Sequence, residues 1–218
     1  MKNDLTELVF VLDKSGSMHG LEKDTIGGFN GMLDKQRQEA GDALVSTVLF
    51  SNESSVIHDR VPLSEVAPLT EKEYRVGGCT ALLDAIGGAV HHIANIHKYA
   101  RPEDVPAHTV FVITTDGMEN ASRRWSAEAV RKLIKEKQSE YGWEFLFLGA
   151  NIDAVETAHT FGIREDHAVR YCSDAAGTAT NFRALNKAVA KLRTGAPLAR
   201  EWKQEISEYC EAQEGKNG

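Results

Sequence analysis

Four stretches of this chain, residues 8–12, 43–50, 109–114 and 144–148, are rich in apolar side chains at both odd and even positions. A strand with one wet face alternates apolar and polar residues. A run that is apolar at both parities must be covered on both sides, as in a parallel sheet between helical layers. The segment 55–61 differs, because Val56, Ile57 and Val61 are mixed with His58, Asp59 and Arg60. It follows the second run after a short polar turn and reads as an antiparallel partner at the sheet edge, where charge blunts further strand addition. Residues 168–171 are a weaker, short strand candidate.

Helical spacing fills the intervals. Ile26, Phe29 and Leu33 share a face in 22–39, and Leu82, Ile86, Val90 and Ile93 share one in 82–98. In 127–141 the stripe is Val130, Leu133 and Ile134, with Ser126 placed to cap the start and Gly142 to end the helix in the left-handed conformation. A short helix is expected over 153–161, and Phe182, Leu185, Val189 and Leu192 mark one over 178–192. After the break at Gly195 and Pro197, Leu198, Trp202, Ile206 and Cys210 recur four apart and read as core contacts of a C-terminal helix. Strand and helix thus alternate. The expected fold is α/β: a doubly wound, mostly parallel, Rossmann-like sheet with one antiparallel edge strand and helices on both faces. The division expected is one domain over 1–195 and a helical extension over 196–218.

Composition removes several classes of function. With 218 residues, 42% hydrophobic and 26% charged, the chain can bury a core without staples, and disorder is excluded. A net charge of −7 is poor for gripping a phosphate backbone, so no nucleic acid partner is expected. No apolar run is long enough to cross a membrane, and the first residues lack the apolar core of a signal peptide. Three cysteines, Cys79, Cys172 and Cys210, an odd number without CxxC spacing, are expected as free thiols in a reducing cytoplasm. Cys79 is expected to be small and buried, His91, His92 and His97 to be solvated on their helix, and Arg123, Arg124 and Trp125 to be a solvated helix start.

In a doubly wound sheet the functional crevice lies beyond the carboxyl ends of the strands. Asp13, Ser15 and Ser17 follow the first run, Thr80 precedes a helix, and Asp116 with Gly117 follows the third run. Two carboxylates and three hydroxyls are hard oxygen donors. They suit Mg²⁺ or Mn²⁺ and suit zinc poorly, since neither His nor thiolate joins the pattern. Glu119 and Asn120 line the rim or belong to a solvated loop.

These residues resemble the metal-ion-dependent adhesion site of the von Willebrand factor A family, whose pattern is Asp-x-Ser-x-Ser, a distant Thr and a distant Asp usually followed by Gly. Asp13, Ser15, Ser17, Thr80 and Asp116 fill all five positions. The resemblance, to the bacterial intracellular type, implies that Ser15, Ser17 and Thr80 meet the ion while Asp13 and Asp116 act directly or through water. It implies a cytoplasmic scaffold or assembly factor that captures an Asp or Glu side chain of a partner protein, and such members often act with AAA+ ATPases or stress-operon products. No catalytic residue is expected. The alternative is a magnesium-dependent phosphohydrolase, but position 15 is serine where such an enzyme needs its second acid.

Overall fold

A computed structural model of the chain describes residues 2–150 and 153–217; positions 1, 151, 152 and 218 of the two expected segments lie outside them. Six strands form one sheet: β1 (Lys2–Asp13), β2 (Ala43–Phe50), β3 (Ser54–Pro62), β4 (Pro106–Thr115), β5 (Glu144–Gly149) and β6 (Ala168–Arg170). Their spatial order is β3-β2-β1-β4-β5-β6. β3 alone runs antiparallel, at one edge, and the other pairings are parallel. Six helices accompany them: α1 (Glu22–Gln36), α2 (Leu82–Tyr99), α3 (Ala127–Tyr141), α4 (Ala154–Thr160), α5 (Ala175–Arg193) and α6 (Gln204–Asn217).

The double-parity runs now have their cause. Leu8, Phe10 and Leu12 of β1 enter one core with Val110, Val112, Leu146 and Leu148. Val9 and Val11 enter a second core with Phe111, Ile113, Phe145 and Phe147. The first core is roofed by α1 and α5, with Ile206 of α6, and the second by α2, α3 and α4. α1 and α5 meet closely because Gly28 has no side chain: a Cβ there would lie 2.2 Å from the Phe182 ring. Overpacking of this kind costs about 1–3 kcal/mol. Gly28→Ala is therefore expected to lower the urea midpoint, and Phe182→Leu in the same chain to recover part of the loss.

Local chemistry sets the helix ends. Ser126 Oγ accepts the Ala129 amide and Gly142 takes a φ of 65°, so α3 begins and ends where its sequence says. α5 starts at Ala175, ahead of the expected position 178, because Asp174 caps it by accepting the Gly177 amide. α1 stops at Gln36 rather than 39, and the Arg193 guanidinium donates to the carbonyls of Gln36 and Gly41 beyond its last turn. Among the described residues no helix is long and apolar enough to cross a membrane.

Four expectations are corrected. Cys172 and Cys210 are not free thiols but form a disulfide, with Cα atoms 5.4 Å apart. α6 packs on α5 and β6 and carries Cys210 to the loop after β6, a proximity that cysteine counting cannot foresee. Cys172 and Cys210 therefore lend no support to a reducing compartment. Cys79 is exposed, because its neighbour Thr80 takes the inward position. His97 is not solvated: its side chain is 9% exposed and its Nε2 lies 3.2 Å from Glu7 Oε2. Glu7 is itself fully buried in β1 and also accepts a hydrogen bond from Arg60 Nε at 2.8 Å, so a buried charge has found two partners. Arg123 to Trp125 are not a helix start but a loop ahead of α3, described below.

Candidate metal centre

Strand order reverses at β1. β2 and β3 lie to one side and β4, β5 and β6 to the other, so the carboxyl ends of β1 and β4 flank the switch point of the sheet. Asp13 is the last residue of β1 and Asp116 directly follows β4. Ser15 and Ser17 stand in the turn after β1, and Thr80 lies just ahead of α2. All five sequence-derived residues therefore reach one crevice.

Their contacts are specific. Asp13 is 1% exposed; its Oδ1 accepts the Ser15 amide at 2.7 Å and its Oδ2 accepts the Thr115 hydroxyl at 2.6 Å. The Ser15 and Ser17 hydroxyls are 3.1 Å apart, and Ser17 Oγ donates to Asp116 Oδ1 at 2.5 Å. Thr80 is tied to the other loops from both sides: its amide donates to Asn120 Oδ1 at 2.9 Å, and the Asn120 amide donates to its carbonyl at 3.0 Å. A Cβ built on Gly117 would lie 3.0 Å from Thr80 Oγ1, 3.3 Å from Ser17 Oγ and 3.9 Å from Ser15 Oγ. Three hydroxyls thus face the one place where residue 117 has no side chain. Gly117→Ala is expected to push the Thr80 and Ser17 hydroxyls aside. Calorimetric titration with Mg²⁺ should then show weakened binding while the unfolding temperature without metal changes little.

Electrostatics point the same way. Burial pushes the Asp13 carboxyl above the usual range, against the hydrogen bonds from Ser15 and Thr115 that favour its charge. Burial also pushes Asp116 up, and the negative charge of Asp13 adds to it, against the bond from Ser17. Two carboxylates facing one crevice that disfavours their charge, with neutral hydroxyls between them, form a donor set that a hard cation fits. Among the described residues no group of three or more His, Cys, Asp or Glu side chains is arranged to hold a metal ion in a softer, zinc-type cage.

The sequence reading missed the supports. Thr115 orients Asp13, and the Tyr74 hydroxyl donates to the Asp13 carbonyl from a fully buried ring. Glu119 and Asn120 are more than a solvated loop: Asn120 is bonded to Thr80, and Glu119 accepts the Leu83 amide and the Ser122 hydroxyl, fastening the start of α2 to the loop after β4. Gly78, with φ 83°, brings its backbone against Asn52, which accepts the Cys79 amide, and its carbonyl accepts the Gly16 amide at 3.0 Å. Each support joins loops distant in sequence, which is why no local pattern announces it.

No family model and no curated protein matches this chain by sequence. Solved structures do match its shape. Proximal thread matrix protein 1 from the mussel byssus, described with a zinc-occupied MIDAS motif, superposes with a TM-score of 0.58 at 15% identity, over 85% of this chain and 46% of that one. A von Willebrand factor type A protein from Catenulispora acidiphila gives 0.54 at 14% identity, over 86% and 43%. The pilus adhesin SpaC from Lactobacillus rhamnosus GG gives 0.59 at 12% identity, over 88% and 30%. The fold is that of a von Willebrand factor A domain, the fold that the sequence resemblance implied. The chain spans less than half the length of these structures.

Proposed function

We propose that this chain is a metal-dependent protein-binding module with a complete metal-ion-dependent adhesion site. Ser15, Ser17 and Thr80 would hold Mg²⁺ or Mn²⁺ through their hydroxyls, with Asp13 and Asp116 supplying negative charge directly or through water. The observation that carries this reading is the convergence of those three hydroxyls on the open side of Gly117, beside two buried carboxylates. An ion held mainly by neutral hydroxyls keeps an appetite for an anion, and a partner's Asp or Glu carboxylate would complete its shell. The zinc in the mussel protein's motif makes other divalent ions worth including in the assay.

The same geometry argues against hydrolysis. A nucleophilic aspartate must be reached by its substrate, whereas Asp13 is 1% exposed and leaves little approach for a phosphoester. Calorimetric titration of the protein with a glutamate-containing peptide should give heat in Mg²⁺ and none in EDTA, while a panel of phosphomonoesters remains intact. Turnover abolished by Asp13→Asn would establish the phosphohydrolase instead.

A further inference from the structure

Beside the candidate metal centre a groove of about 880 Å³ runs between α2 and the β2–β3 hairpin. Midway along it α2 presents the small residues Ala85, Gly88 and Ala89, which leave the sheet face beneath β2 and β3 open there, while Asp84 stands at one end and His92 and Ile93 at the other. Its lining adjoins the candidate metal centre at Thr80, through Cys79, which precedes Thr80, and Asn120, which accepts the Thr80 amide. Along its α2 side stand Arg123 and Arg124, both exposed. Neither guanidinium forms an ion pair within 4 Å among the described residues.

The loop carrying these two arginines is rigidly built. Asp84, in the first turn of α2, accepts the backbone amides of Arg123, Arg124 and Trp125 at 2.8–2.9 Å. Trp125 is seated on Gly87, where any Cβ would meet the indole at 2.3 Å. Of the three carboxylates in the lining, Asp84 is held at the arginine loop by those amides, where its charge also faces Arg124, and Asp59 is held by His92 Nε2 at 2.9 Å. Glu53, on the hairpin turn, disfavours acid on its own side and leaves the arginine side for it.

We infer that this groove is the track for an extended acidic segment of the partner protein, whose second carboxylate is gripped by Arg123 and Arg124 while its following residues lie over Gly88 and Val56. Guanidiniums held on a fixed loop recognise carboxylates with directional, charge-assisted hydrogen bonds and little ordering cost. Val56 supplies exposed apolar surface beyond them, at 56% exposure. The inference rests on the metal-site reading above for the first carboxylate, and adds where the rest of the partner lies and what charge it carries.

The test is selection of a phage-displayed dodecapeptide library with a fixed central glutamate on the whole chain in Mg²⁺, followed by affinity measurements on the selected peptides. Flanks enriched in Asp and Glu are expected. The double variant Arg123→Ala, Arg124→Ala should weaken their binding about tenfold or more. Gly88→Leu should weaken it similarly by filling the groove; a Cβ at 88 meets nothing within 4 Å, so this helix position accepts the change, as thermal unfolding would verify. Metal-dependent peptides that bind all variants within about twofold, or whose flanks are basic, would overturn the groove assignment and leave the metal site standing. Failure to recover any metal-dependent peptide would remove both. A dimer in sedimentation that Gly88→Leu dissociates would assign the groove to a second copy of the chain and overturn the acidic segment.

Discussion

Saturating Mg²⁺ is expected to raise the unfolding free energy of the wild-type chain and to do nothing for the double variant Ser17→Ala, Thr80→Ala. Free ion at a hundred times its dissociation constant stabilises the folded state by about 2.7 kcal/mol, provided the unfolded chain does not bind it. The variant removes two of the three hydroxyls that face Gly117 and leaves the loops in place. Thr80 is anchored through its backbone to Asn120, and Ser17 contributes one hydrogen bond to Asp116. An undiminished shift in the variant would place the ion elsewhere.

Asp116→Asn separates the electrostatics from the ligand count. Asp116 titrates higher in the folded chain than in the unfolded one, through burial and then the charge of Asp13. A raised acid binds more protons when folded, so its ionisation counts against folding as pH climbs through and past its unfolded value. Without metal, Asp116→Asn should therefore be more stable than wild type at neutral pH, and the difference should shrink on acidification. With Mg²⁺ the order should reverse, because the charged wild type holds the ion more tightly. Paired urea melts at two pH values, with and without Mg²⁺, read both signs.

Reduction of the Cys172–Cys210 bond is expected to have the largest single effect on stability. The two residues are 38 apart, and closing a loop of that length removes chain entropy from the unfolded state equivalent to roughly 4 kcal/mol in the loop-entropy model. The folded contacts it locks are those of the carboxyl-terminal segment. Ile206 is buried in the first core, Trp202 Nε1 donates to the Asp166 carbonyl at 2.8 Å, and the Tyr209 hydroxyl donates to Asp174 at 2.8 Å. Urea melts with and without dithiothreitol, in a Cys79→Ser background that removes the exposed thiol, should differ by that order. Detection of two reactive thiols in the native, unreduced Cys79→Ser protein would show that the pair is open.

The layered architecture was legible because burial on two faces leaves its mark residue by residue. Val9 and Phe10 point to opposite cores, and both had to be apolar whatever lay around them. The candidate metal-site residues were legible in part because Asp13 ends β1 and Asp116 follows β4, and in full only through the resemblance to the von Willebrand factor A pattern, which adds Thr80 from the loop before α2. Glu7 shows the opposite case. It lies beside an apolar run and is tolerated there only because Arg60, on a backbone with φ 52°, and His97, from α2, arrive to meet it. Arg193 likewise looks like one more solvated charge in a helix, yet it closes the end of α1.

Strand and helix content and the two-sided sheet follow from the order of side chains, since each depends on local periodicity, and the five oxygen-bearing residues of the crevice were found by their resemblance to a family pattern carried in that same order. The disulfide, the Asn120 brace on Thr80, the Gly117 opening and the groove beside Arg123 were decided only by packing. Each is a relation between surfaces that meet after the helices have docked, and a linear order of residues carries no record of which surfaces those are.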